Sequence, residues 1–175
     1  MTTPATSLLP PDAVSLLRAL HEGRVEHVLI GGFAAGLLGA PAGERIVTIV
    51  PARFGRNLDR LAKVLRKLDA RPRPGEAAMP GGGTISAEGL RLLGRWSLQT
   101  RFGRLQLDFE PPATAGHLDL FDEARRITIA DGLEVEVAAL SDLIRIAEFR
   151  LHEGDRAALK VWRAAYSSSS VSASQ

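Results

Sequence analysis

The residues best suited to chemistry stand in the segment GRLQLDFEP, where polar and apolar side chains alternate. Alternate residues of a strand point to the same face of a sheet, so Gln106, Asp108 and Glu110 form one row. Together with the hydroxyl of Thr48, two carboxylates in such a row could hold a divalent cation or support catalysis. Asp108, Glu110 and Thr48 are therefore the candidate catalytic residues. The alternative is a structural Asp108 that caps a segment, pairs with Arg45 across the sheet, or faces water.

The hydrophobic pattern predicts the elements that must position these side chains. Leu58, Leu61, Leu65 and Leu68 recur at steps of three and four, which is typical of an amphipathic helix over 54–68. The dipeptide at 131–132, Asp-Gly, favours a type I′ hairpin turn. The full prediction is strands at 25–30, 45–50, 96–100, 104–109, 127–129 and 133–137, and helices at 12–22, 33–38, 54–68, 117–124, 141–150 and 155–166.

Length and composition indicate one domain. The chain has 175 residues and no cysteine, which fits a domain that buries its own core without disulfides. We expect a domain over 1–166 with a Gly- and Pro-rich loop at about 72–89, either a mobile lid or a disordered segment. A disordered Ser-rich tail is expected over 167–175. Neither a secretion signal nor an apolar run of membrane-spanning length is present, so we expect a cytoplasmic protein without membrane contact.

Charge is unevenly distributed although the formal net charge is only +2. Residues 51–73 hold eight Lys or Arg against two acids, whereas residues 106–155 hold four against twelve. Five cations at steps of three or four predict a basic helix face that could follow a nucleic-acid backbone, or that is simply solvated. These cations are Arg53, Arg56, Arg60, Lys63 and Lys67. The four histidines lack the paired spacing of a zinc site, so no metal site is predicted.

The order of several segments resembles that of the AbiEii-type nucleotidyltransferases, which include toxins of toxin–antitoxin systems. The resemblance covers most of residues 12–165. It is carried by a leading helix, VLIGGFAAGLLG, a strand ending in IVP, an amphipathic helix, GRLQLDFEP and VEVAALSDLIRIAEF. It implies an α/β (α+β) fold, with a nucleotidyltransferase-like mixed sheet flanked by helices in a single domain.

The resemblance also implies a nucleotide site, at which Gly31, Gly32, Arg45 and Gln106 would bind the nucleotide. Glycine lacks a Cβ, so the backbone can approach phosphates closely, although Gly31 and Gly32 could equally serve only tight packing. The acids of the family are missing at the matching positions. Their places, and that of a lysine on a late helix, are taken by Ile46, Thr48, Gln106 and Ala147.

These departures lead to two hypotheses from different classes. The first is a catalytically degenerate nucleotidyltransferase-fold protein that binds a nucleotide, an RNA or a protein partner, such as the other half of a toxin–antitoxin pair. The second is an active nucleotidyltransferase or repurposed enzyme that uses Asp108 with Glu110 or Thr48. We expect no cofactor under the first hypothesis, and Mg²⁺ only under the second. The sequence leaves open whether the protein is an enzyme.

Overall fold

The computed structural model describes residues 10–40, 46–76, 83–150 and 153–172. Helices and strands alternate irregularly along the chain. In order they are α1 (Pro11–Glu22), β1 (His27–Ile30), α2 (Gly31–Leu37), β2 (Val47–Pro51), α3 (Asn57–Lys67), β3 (Arg71–Pro72), α4 (Ala87–Leu92), β4 (Arg95–Thr100), β5 (Gly103–Asp108), α5 (His117–Asp122), β6 (Arg125–Ala130), β7 (Leu133–Val137), α6 (Leu140–Arg150) and α7 (Glu153–Ser172).

The strands form one mixed sheet of seven strands in the order β3-β4-β5-β2-β1-β7-β6. The central pair, β1 and β2, is antiparallel, while β2 runs parallel to β5 and β1 runs parallel to β7. The outer pairs are antiparallel hairpins or short edges. Because β1 is antiparallel to β2, the end of β1 and the start of β2 meet at the same place, with Ile30 opposite Thr48.

Apolar side chains bury both faces of the sheet centre. All five residues of β2 are buried, which requires cover on both sides of the strand. The predicted leucine stripe of α3 is confirmed, since Leu58, Leu61, Leu65 and Leu68 are all buried. Helix α1 lies against α3 and the sheet, while α2 and α7 both contact α6. Sequence periodicity therefore identified the helix face that closes the core.

Asn57 is a buried polar residue that the sequence pattern did not reveal. Its side-chain amide donates to the carbonyls of Glu26 and Ala52, each at 2.8 Å, and its Oδ1 accepts from the Glu26 N–H at 2.7 Å. These bonds satisfy backbone groups before β1 and after β2. The start of α3 is thereby joined to both central strands.

The predicted loop at 72–89 contains regular structure in its described part. β3 pairs with β4 through Arg71 and Pro72, and α4 begins at Ala87, where the Ser86 hydroxyl accepts from the Gly89 N–H at 3.0 Å. Ile85 and Leu90 are buried. The expected loop therefore ends in a capped helix from Ala87, while the lid or disorder expected over 72–89 stays a prediction. Residues 77–82, with Pro80, Gly81 and Gly82, lie outside the described residues.

One boundary prediction and one turn prediction need correction. Helix α7 continues to Ser172, so the disordered tail predicted from Ser167 is wrong for 167–172, and residues 173–175 lie outside the described part. Ser167 and Ser168 donate to carbonyls four residues earlier, which lets hydroxyl-rich sequence remain helical. The prediction of a type I′ turn at 131–132 is also wrong. That turn needs positive φ at both central residues, and of Asp131 and Gly132 only the glycine has it.

No helix in the described ranges combines the length and apolar character that crossing a membrane requires.

Candidate functional site

The Gly31 site, defined as Gly31, Thr48 and Gln106, lies where three strands meet. Gly31 follows β1 with φ +81°, a left-handed conformation that favours glycine. A Cβ at this position would lie 3.6 Å from Thr48 Oγ1, so backbone conformation rather than lack of space selects the glycine. Thr48 pairs with Gln106 across the parallel β2 and β5 strands. The structure therefore brings three of the predicted site residues together.

A single hydrogen bond joins the side chains of Thr48 and Gln106. The Thr48 hydroxyl donates to Gln106 Oε1 at 3.3 Å, and Arg95 Nη2 approaches the same oxygen at 3.5 Å. Thr48 is only 5% exposed. Both partners are neutral, so the bond brings no negative charge to the site. Ile46, half-buried just before β2, adds only hydrocarbon.

Asp108 is buried at the end of β5, with 3% of its surface exposed. Its Oδ2 is paired with the guanidinium of Arg150 at the end of α6. Its Oδ1 accepts from the Glu110 N–H at 3.2 Å. Both carboxylate oxygens are thus engaged by donors on the protein. Of the three alternatives raised for Asp108, ion pairing is the observed one, but the partner is Arg150; Arg45 lies outside the described residues.

Asp108 and Glu110 line a shared cleft of about 430 Å³, called here the Asp108 cleft. Its lining residues are Gly94, Arg95, Asp108, Glu110, Pro112, Phe149 and Arg150. Glu110 pairs with Arg53 at 3.1 Å, and both side chains are largely exposed. The Arg53 guanidinium also lies 4.8 Å from the centre of the Phe109 ring. An exposed pair of this kind contributes little stability, so Glu110 is the more available of the two carboxylates.

A pair of Mg²⁺ ions does not fit these residues. Divalent cations of this type need several oxygen ligands with negative charge. In the Gly31 site the available oxygens are a hydroxyl and an amide already bonded to each other. Within the described ranges, no group of three or more His, Asp or Glu side chains could hold a metal ion. We therefore derive no metal-dependent step from this site.

The predicted basic helix face is divided by the fold. Arg53 and Arg56 precede α3, which begins at Asn57, so placing all five cations on one helix is wrong. The chain turns before Asn57 because that side chain holds it to Ala52. Arg60 lies 3.6 Å from Glu26 and donates to a backbone carbonyl. Lys63 and Lys67 are exposed on α3. A nucleic-acid role for these residues stays a prediction.

Sequence reasoning missed Arg150 as a site residue. It lies 42 positions from Asp108 along the chain, and its spacing to other polar residues gives no sign of the contact. Ala147, which the sequence resemblance matched to a lysine, is buried on the same helix. The only available signal was the cation at the end of a predicted helix.

No family model and no curated protein sequence matches the chain. Among solved structures, the chain is similar to the lincosamide antibiotic adenylyltransferase LnuA in its lincomycin-bound crystal structure. That likeness has a TM-score of 0.58 and 14% identity, and covers 89% of this chain and 97% of LnuA. The solution structure of the antibiotic-resistance factor ANT(2'')-Ia gives a TM-score of 0.47 and 14% identity, with 92% of each chain covered. The likeness to LnuA confirms the predicted nucleotidyltransferase fold in a single domain.

Proposed function

We propose that this chain is a nucleotidyltransferase-fold protein that acts by binding and does not carry out metal-dependent nucleotidyl transfer. The observation that supports this proposal is the hydrogen bond between Thr48 and Gln106. In the resemblance to AbiEii-type proteins these residues take two places that hold acids in the family. At both places the chain offers a neutral group, and the Thr48 hydroxyl donates to the Gln106 amide oxygen.

The size of the expected catalytic loss favours binding over residual activity. Removing one well-placed donor to a developing charge typically costs about 3–4 kcal/mol of transition-state stabilisation. A metal-binding carboxylate matters at least as much, and here Ile46, Thr48 and Gln106 replace three of them. Each 1.36 kcal/mol is tenfold in rate, so the combined loss removes most catalysis by this route.

A nucleotide is the first ligand to test, because the left-handed Gly31 leaves backbone without a Cβ beside the site. The proposal includes two other kinds of ligand. These are an RNA and the protein partner of a toxin–antitoxin pair. None of these ligands requires carboxylates at positions 46, 48 or 106.

Calorimetry with ATP, CTP, GTP and UTP, each with and without Mg²⁺, tests the proposal. We expect nucleotide affinity to change less than twofold with Mg²⁺, because Ile46 and Thr48 stand where the resemblance places the acid pair that would bridge the ion. A tenfold or greater gain with Mg²⁺ would contradict it. Gly31→Ala should weaken binding, and Gly39→Ala is the matched control. Both glycines have positive φ, but Gly39 is exposed and lies outside the site.

A second candidate function is an enzyme that uses Asp108 with Glu110 or Thr48. It is favoured by the Asp108 cleft, in which two carboxylates and two arginines line one cavity. Incubation with labelled nucleotides and tRNA, followed by comparison of Asp108→Asn with the exposed control Glu88→Gln, decides the matter. Label transfer that is lost only in the Asp108 variant would establish this enzyme. Absence of transfer in the parent protein would support binding alone.

A further inference from the structure

A second cavity, of about 380 Å³, lies at the other end of β1. We call it the histidine pocket, and the residues that matter to its chemistry are Glu26, His27, Phe54, His117, Phe121 and Glu134. His27 begins β1 and Ile30 ends it next to Gly31, so about 10 Å of strand separates the pocket from the Gly31 site. No residue lining this pocket also lines the Asp108 cleft.

One wall of the histidine pocket is aromatic. The His117 ring stacks on Phe121 with centroids 5.6 Å apart and planes at 16°, and it meets the edge of Phe54 at 5.9 Å. His117 and Phe121 are four positions apart on α5, which places them on one face of that helix. Phe54 is 48% exposed and Phe121 is 46% exposed. This wall is therefore open to a ligand ring.

The tautomer of His27 follows from its contacts. Its Nδ1 lies 2.8 Å from the Val25 carbonyl oxygen, and a carbonyl can only accept, so Nδ1 carries the proton. Burial lowers the pKa of His27 to about 4, so the ring is neutral near pH 7. Nε2 is then an acceptor, and it is buried without a hydrogen-bond partner among the described residues. Such an atom indicates a donor from outside the described part of the chain.

His117 repeats this situation on the aromatic wall. Its Nδ1 is also buried and finds no partner within the described part of the chain. Burial lowers the pKa of His117, so this ring too is neutral at physiological pH. These two rings therefore add no positive charge to the pocket, whose lining also includes the imidazole of His21.

The charges around the pocket are mostly negative. Glu26, Glu134 and Glu136 line it against one arginine, Arg126, which pairs with Glu136 at 2.8 Å. Glu26 has Arg60 at 3.6 Å, outside the lining. Glu134 is exposed and has no ion pair within 4 Å in the described structure, and it shares the charge of Arg126 with Glu136 at longer range. A positively charged ligand complements this arrangement.

We propose that the histidine pocket binds a small organic cation with an aromatic ring, of the arylalkylamine class. The ring of the ligand packs on the wall formed by Phe54, His117 and Phe121. Its ammonium faces Glu134 and donates an N–H to His27 Nε2, which has no partner among the described residues. A cation beside aromatic faces gains further attraction from the ring quadrupole. This site is separate from the proposed nucleotide site, and either proposal can fail alone.

The first test titrates the full chain with three probes of similar shape, namely phenethylammonium, phenethyl alcohol and phenylacetate, at pH 7.5. Binding is followed by calorimetry and by NMR of the histidine ring protons. We expect the ammonium to bind at least fivefold tighter than the alcohol, and the carboxylate to bind weakest. Equal affinity for all three, or no change in the His27 and His117 signals, would overturn the proposal.

Variants then locate the binding. Glu134→Gln and Phe121→Ala should each weaken phenethylammonium binding by about threefold to tenfold. Both positions are exposed, so these variants should fold, which circular dichroism can verify. Phe149→Ala is the matched control, since that side chain is 68% exposed and lines the Asp108 cleft instead. A loss in the Phe149 variant equal to that in the Phe121 variant would place the ligand elsewhere.

Discussion

The Gly31 site and the histidine pocket lie at opposite ends of β1, and they differ in whether their polar side chains have hydrogen-bond partners. In the Gly31 site, Thr48 and Gln106 bond to each other, and in the nearby cleft Arg150 engages Asp108. In the histidine pocket, His27 and His117 each keep a buried ring nitrogen without a partner in the described structure. Burial of an unpaired polar atom costs free energy that a bound donor can recover. Unpaired buried nitrogens therefore favour ligand binding more in the histidine pocket than hydrogen-bonded side chains do in the Gly31 site.

The largest expected effect comes from breaking the ion pair between Asp108 and Arg150. Arg150→Met leaves the buried Asp108 carboxylate without its guanidinium and should lower the free energy of unfolding by about 3–5 kcal/mol. Urea denaturation at pH 7 measures this change. The matched control is Arg163→Met, which breaks the exposed pair with Glu148 and should cost under about 1 kcal/mol. Equal small losses in the two variants would contradict the buried pairing.

The next effect concerns the histidine pocket at low pH. Because the pKa of His27 is lowered in the folded state, folding favours the neutral ring. The resulting stability is complete above pH 6.5 and is lost as pH falls from 6.5 towards 4, by about 3 kcal/mol in total. Unfolding free energies from urea titrations across this range measure the loss. His27→Gln cannot titrate, so the parent should lose more stability than this variant. Identical pH slopes would refute the assignment.

The smallest effect concerns the bond inside the Gly31 site. A double-mutant cycle with Thr48→Val and Gln106→Leu should give a coupling of about 1 kcal/mol, the usual net value of a neutral hydrogen bond. Each single variant leaves one partner unsatisfied, whereas the double variant removes both. Thermal or urea unfolding of the four proteins supplies the cycle. A coupling near zero would mean that Thr48 and Gln106 are not bonded in solution, and the contrast with the histidine pocket would weaken.

Much of the fold could be predicted because periodic burial leaves a direct trace in sequence. The leucines of α3 determine the buried face of that helix, and in β5 Leu105 and Leu107 are buried on either side of the half-buried Gln106, although Asp108 is buried as well. The short helix α4 was missed because its residues follow a Gly- and Pro-rich segment. Its Ser86 cap and the buried Ile85 and Leu90 became significant only with neighbouring elements in place.

The site was only partly predictable for a similar reason. Gly31, Thr48 and Gln106 come together as expected because strand pairing brings corresponding positions into contact. The partner of Asp108 depends on where α6 ends in space, and local spacing does not encode that. The histidine pocket contains His27, Phe54 and His117 from three separate parts of the chain, so no local sequence motif predicts it. Long-range packing decides such contacts.

The two edges of the sheet limit how this protein can associate. One edge is β3, which has only two residues and includes Pro72, a residue without an N–H to donate. The other is β6, which carries the exposed Arg125 and Arg126 and an irregular register between Thr128 and Ala130. Short, proline-containing, charged or bulged edges resist pairing with another chain. Self-assembly or capture of a partner would therefore proceed through side-chain surfaces, and not by extension of the sheet with an added strand.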